Sequence, residues 1–189
     1  NGFGPDGFRY YGERMLRDPA LTEDYRFLDT LRRVERGNRR FQHADEPDRA
    51  SLDQFISFVR DVESRGIAVI VMVPPVAPTV HDAMEQSGKY GFVDKAFSYL
   101  RAHDVDLVDF HDPRSVGLVD CEFLDGFHAG DVASAVMLTH MARSRPELRD
   151  VLASDEIARL LGFRGRAAVY FNEAFARTEK DFLGIGCPK

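Results

Sequence analysis

Apolar residues along this chain follow two rhythms. Between Ser51 and Arg65, Leu52, Phe55, Ile56, Val59 and Val62 recur at the i, i+3, i+4 spacing of one helix face, and Gly66 stops the pattern. The next stretch, Ile67 to Val73 (IAVIVMV), is unbroken and mostly β-branched. Such a run predicts a strand buried on both faces, as in a parallel sheet covered by helices, and Pro74 and Pro75 end it. A short segment around Thr79 to Gln86 follows. Phe92, Ala96, Phe97 and Leu100 then return to helical spacing over 92–102, ahead of a second strand, Val105 to Phe110. Strand, helix and strand in this order predict a right-handed βαβ unit.

The flanks are read in the same way. The opening Asn1-Gly2-Phe3-Gly4-Pro5-Asp6-Gly7 is rich in turn formers and predicts a loop. A helix is expected from Thr22, its N-cap, with Leu28, Leu31 and Val34 on one face and an end near Gly37. The polar stretch His43 to Arg49, with Pro47, reads as a connection. A long loop spans His111 to Gly130, and a helix over 131–143 follows with Asp131 as expected N-cap. A further helix over 154–161, a short strand candidate from Arg166 to Phe171 and a tail complete the chain. This divides it into an N-terminal loop and helix (1–50), an α/β core (51–150) and a C-terminal helix, short strand and tail (151–189). The expected fold class is α/β, a three-layer parallel sheet flanked by helices. Two firm strands are few for such a sheet, so its N-terminal strands are expected to lie outside this segment.

Composition narrows the function. At 189 residues the chain is long enough for one domain with a real core, and 44% apolar with 30% charged residues is an ordinary globular balance. No apolar run approaches the roughly 18 residues of a membrane span, so no membrane contact is expected from this segment. The 31 acidic against 25 basic residues give a net charge of −6, which disfavours nucleic acid as a partner. Arg32, Arg33, Arg36, Arg39 and Arg40 do cluster, and read as the face and end of a solvated helix. Cys121 and Cys187 are too few for a disulfide framework; one bridge between them would fit an oxidising compartment. The first residue is Asn1, and the chain reads as a fragment or a processed product.

Candidate chemistry centres on Asp125-Gly126-Phe127-His128, just before the 131–143 helix. A turn of this length can return a carboxylate to the imidazole Nδ1 and leave Nε2 free to take a proton. The plainer alternative is that Asp125 caps its own turn and His128 is an ordinary loop histidine. A metal cluster of His111, Asp109 and Asp112 with His128 is the weaker reading, because Asp109-Phe110-His111 at a strand end is more simply a capped turn. His140 reads as packing, and Cys121 has no basic neighbour to make it a thiolate nucleophile. No metal and no organic cofactor are expected.

Taken together, IAVIVMV followed by prolines, VDLVDF and then FLDGFHAGDVASAVMLTHMA resemble the C-terminal half of the SGNH (GDSL-like) hydrolase superfamily, over about Ser51 to Arg143. In that superfamily an Asp-x-x-His block after the last core strand carries the triad acid and base. The resemblance therefore implies that Asp125 orients His128 and that His128 is the general base. It implies an SGNH/flavodoxin-like sheet, ester chemistry on an acylated small molecule or glycan, and a periplasmic or cell-envelope location. The superfamily's nucleophilic serine lies in a Gly-Asp-Ser-like block after the first strand. None of the nine serines here has that context, so the serine is expected upstream of Asn1. The opening GFGPDGFRYYG looks like the Asp-Gly loop of envelope relatives acting on O-acyl groups, which would give Asp6, Arg9 and Tyr10 a role in sugar binding. The competing function is a non-catalytic glycan- or protein-binding module with the same fold. A flavodoxin-like nucleotide site is disfavoured, since no visible strand leads into a glycine-rich phosphate loop.

Overall fold

The structure, a computed structural model, describes residues 2–3, 9–10, 24–167 and 181–187, with only the backbone of 2–3 and 9–10. It is a mixed α/β fold whose central feature is a two-stranded parallel sheet, β3 (Val71–Val73) beside β4 (Leu107–Asp109). Val71 pairs with Leu107, Met72 with Val108 and Val73 with Asp109. Two helices connect these strands, α3 (Pro78–Ser87) and α4 (Gly91–Ala102), so the short segment expected around 79–86 is a full helix begun by Pro78 at a position where its missing N–H costs nothing. Before the sheet come α1 (Leu28–Arg36) and α2 (Arg49–Ser64); after it come α5 (Asp131–Ser144) and α6 (Ser154–Leu161).

Several expectations are corrected. The opening loop contains a short antiparallel pairing of β1 (Gly2–Phe3) with β2 (Arg9–Tyr10). The first helix starts at Leu28, because Arg26 and Phe27 take left-handed backbone angles that no helix can run through; Thr22 lies outside the described residues. Burial of the Phe27 ring and a bond from Arg26 N–H to the Leu183 carbonyl hold that kink. Helix α2 starts two residues earlier than its apolar stripe, at Arg49, because the Asp48 carboxylate caps it, accepting from Ala50 N–H and Ser51 N–H. Gly130, not Asp131, precedes α5, and a side chain there would overlap the Ala167 carbonyl. Arg166 and Ala167 are not in a strand, and the rest of that candidate lies outside the described residues.

The largest correction concerns the IAVIVMV run. Only Val71 to Val73 of it form a strand, Ile67 is 55% exposed and Met72 is 41% exposed. The ladder extends only as far as its one partner: among the described residues β4 covers one edge of β3 and nothing pairs with the other.

The main core draws on distant parts of the sequence: Phe27, Val34 and Phe41 pack with Val80, Tyr90, Phe123 and Leu183. Two smaller clusters, around Ile56, Leu100 and Val105 and around Phe110, Met137 and Met141, cover the sheet from α2, α4 and α5. A disulfide joins Cys121 to Cys187 and fastens the 181–187 segment to the loop that carries the candidate site.

Candidate active site

The loop after β4 is built in stages that end on Asp125. Asp112 caps a 3₁₀ turn over Pro113–Val116, and a second turn spans Asp120–Glu122. The fully buried Glu122 carboxylate accepts from Arg164, Gly165 N–H and Val119 N–H, anchoring this stretch. A bridge between Phe123 and Ala129 then closes a tight excursion, with Leu124 N–H donating to the His128 carbonyl at 2.8 Å.

Within that excursion the two oxygens of Asp125 divide the work. Oδ1 accepts from Phe127 N–H at 3.0 Å and from His128 N–H at 2.8 Å, fixing the turn. Oδ2 lies 2.8 Å from His128 Nδ1. The two sequence readings of this aspartate, turn cap and histidine partner, are thus both satisfied by one carboxylate. Burial pushes the Asp125 carboxyl up, but the bond from His128 Nδ1, the bonds from the Phe127 and His128 backbone and the histidine's charge together outweigh burial and hold it below its ordinary value. An ionised carboxylate only accepts, so Nδ1 carries a proton; whenever the ring is neutral, Nε2 is the nitrogen left with a lone pair. The His128 side chain is 52% exposed, and Nε2 has no partner among the described residues.

Phe127, between the two, braces the imidazole. Its ring lies against that of His128 with centroids 4.2 Å apart and meets Phe41 edge-on. The guanidinium groups of Arg33 and Arg40 lie over it at 5.6 and 5.5 Å. Two members of the arginine cluster read as a solvated face are therefore part of the site's surroundings.

His128 opens into a cleft of about 740 Å³ whose lining includes Pro74, Pro75, Tyr90, His111 and Phe127. Pro74 and His111 follow the carboxyl ends of β3 and β4, the side on which open parallel sheets bind ligands. Among the described residues His111, Asp109, Asp112 and His128 do not gather into a group that could share a metal ion. Asp109 spends one oxygen on His111 N–H and the other on Arg101, and Asp112 caps its turn. Burial, followed by the neighbouring His81, pushes the His111 pKa down against the opposing pull of Asp109, Asp94 and Glu85. His140 is exposed, with its ring edge-on to Phe110. Asp6 lies outside the described residues, and Arg9 and Tyr10 contribute the backbone of β2.

Sequence reasoning missed two residues that build this turn. Asp24 accepts from Gly126 N–H at 2.8 Å across 102 positions, and Gly126 is required because a Cβ there would sit 2.6 Å from Thr30 Cβ. No local spacing signals either contact. The fold and site define an α/β chain with an Asp–His pair at a cleft. Comparison of the chain with protein-family models, with curated proteins and with solved structures finds no match.

Proposed function

We propose that this chain supplies the acid–base pair of an SGNH-like serine hydrolase or acyltransferase acting on an ester, the substrate being an acylated small molecule or an O-acylated glycan. The observation that carries the reading is the 2.8 Å contact of Asp125 Oδ2 with His128 Nδ1 beside a cleft, with Nε2 unpartnered among the described residues. A serine supplied from upstream of Asn1 attacks the acyl carbonyl while His128 Nε2 takes its proton. The proton returns to the leaving alcohol as the acyl-enzyme forms, and water or an acceptor hydroxyl then releases the acyl group by the same route. Asp125 stays ionised throughout, holding the ring and stabilising the imidazolium. Asp6, Arg9 and Tyr10 are assigned to the sugar on the strength of the resemblance alone.

The same proposal extends to the sheet. One edge of β3 has no partner among the described residues, and further parallel strands added there would widen the sheet toward the one that helices cover on both faces. The Cys121–Cys187 bridge supports an oxidising compartment such as the cell envelope.

One observation favours the second reading, a non-catalytic binding module. Ser115 and Ser134, the serines nearest the turn in sequence, donate to the Asp112 and Gly130 carbonyls of their own turns. Turnover of a small aryl ester decides between the two. In the full-length protein His128→Ala is expected to lower kcat about 10²- to 10⁴-fold, and residues 1–189 alone are expected to give only the background rate. Wild-type turnover by His128→Ala, or glycan binding by a full-length protein without any turnover, would reject the catalytic reading.

A further inference from the structure

We propose that Asp24 is a positioning residue for the Asp125–His128 pair, acting through the Gly126 peptide; this rests on the acid–base reading above. Asp24 is a carboxylate only 6% exposed, and its four acceptor positions are all used. Oδ1 accepts from Asp29 N–H and Thr30 N–H, both at 2.9 Å, which ties it to the first turn of α1. Oδ2 accepts from the Thr30 hydroxyl at 2.6 Å and from Gly126 N–H at 2.8 Å. One buried side chain therefore joins a helix start to the centre of the candidate site.

The Gly126 peptide groups explain why this matters for the chemistry. Gly126 N–H belongs to the peptide plane that leaves Asp125, and Asp24 fixes that plane. The Gly126 carbonyl belongs to the next plane, and Ala77 N–H, just past the proline pair, donates to it at 3.0 Å. Peptide groups are planar, so pinning two successive planes sets the backbone torsions of Gly126 and with them the relative placement of Asp125 and Phe127. Thr30 closes on the Cα of Gly126 from the remaining side. The carboxylate that orients His128 is thus itself oriented from α1 and from the start of α3, where Ala77 is the N-cap.

The test measures which nitrogen of neutral His128 carries the proton, by ¹⁵N NMR of the full-length protein, alongside kcat and KM for a small aryl ester. In Asp24→Asn an amide nitrogen replaces one oxygen, and turning it toward the Thr30 hydroxyl leaves Gly126 N–H without an acceptor. The expected result is a shift of His128 from the Nδ1–H tautomer toward the Nε2–H form that free imidazole side chains prefer. With it goes a fall in kcat of roughly 10- to 100-fold, with little change in KM. Ile56→Val, in a separate apolar cluster, controls for general loosening and is expected to leave the tautomer unchanged. If Asp24→Asn does not fold, Thr30→Val decides, since it removes one donor to Oδ2 while keeping side-chain volume; the same shift is expected, smaller. Wild-type tautomer and kcat in the folded variant, or an equal shift in Ile56→Val, would overturn the proposal. His128→Ala with undiminished turnover would sink the acid–base reading alone, leaving the tautomer shift in Asp24→Asn to stand on its own.

Discussion

The Asp125–His128 turn and the outer edge of β3 differ sharply in tertiary support. The turn is held by Asp24, which is tied to the start of α1, by Ala77 at the N-cap of α3 and by its own Phe123–Ala129 bridge. The edge has no backbone partner among the described residues and shows Ile67 and Met72 to solvent. The turn's precision therefore does not depend on the width of the sheet beneath it. Preorganisation of a site by fixed dipoles and locked side chains needs such local over-determination, and the edge, which has no partner to fit, is left with only its apolar character.

The sharpest way to break this contrast is to release the bridge that fastens residues 181–187 behind the site loop. Replacing Cys121 and Cys187 by serine opens a 66-residue closure, and chain entropy puts the cost at about 4 kcal/mol, measurable by denaturant unfolding. A cost near zero would mean that Leu183 and its neighbours stay docked without the bridge. Next comes Gly126→Ala, whose new methyl meets the buried Thr30. It is expected to cost about 1–3 kcal/mol as overpacking and to displace the turn, so stability and aryl-ester turnover should fall together. An unchanged melting temperature would show that the turn has slack.

Acid titration gives a smaller effect with a definite sign. The Asp125 pKa is depressed in the folded state relative to its ordinary value of 3.8. Its contribution to stability is therefore present above that value and is lost as pH falls through the folded pKa. The part of the stability difference between wild type and Asp125→Asn that comes from the Asp125 charge should shrink below about pH 4. A difference that persists unchanged to lower pH would contradict a depressed Asp125 pKa in the folded state. The smallest effect is expected at the sheet edge: Met72→Lys should alter the stability of residues 1–189 by no more than about 0.5 kcal/mol. A much larger loss in a longer form of the protein would show that further strands cover β3 there.

Residue spacing carried a good part of this architecture. The apolar stripe of Leu52, Phe55, Ile56, Val59 and Val62 marks α2, and the IAVIVMV and VDLVDF segments contain the parallel pair β3 and β4, because these patterns are imposed by the burial of one face or one ladder. The Asp125–His128 contact was also legible, since three positions of a tight turn suffice to bring the side chains together. What spacing could not supply is whatever depends on distant chain segments meeting. By sequence Asp24 falls in the first turn of the helix expected from Thr22, and only the fold brings Gly126 to it. Arg33 and Arg40 look like a solvated stripe until Phe127 packs beneath them. The extent of β3 was overestimated for the same reason, because a strand is as long as its partner allows.

On the acid–base reading, Asp125 holds the neutral His128 ring with its proton on Nδ1 and leaves Nε2, unpartnered among the described residues, to accept a proton. ¹⁵N NMR of the His128 ring in its neutral form, compared between wild type and Asp125→Ala, tests it directly. The Nδ1–H tautomer should dominate in the wild type and give way to Nε2–H in the variant; a wild-type ring already in the Nε2–H form, indifferent to Asp125→Ala, would contradict the account.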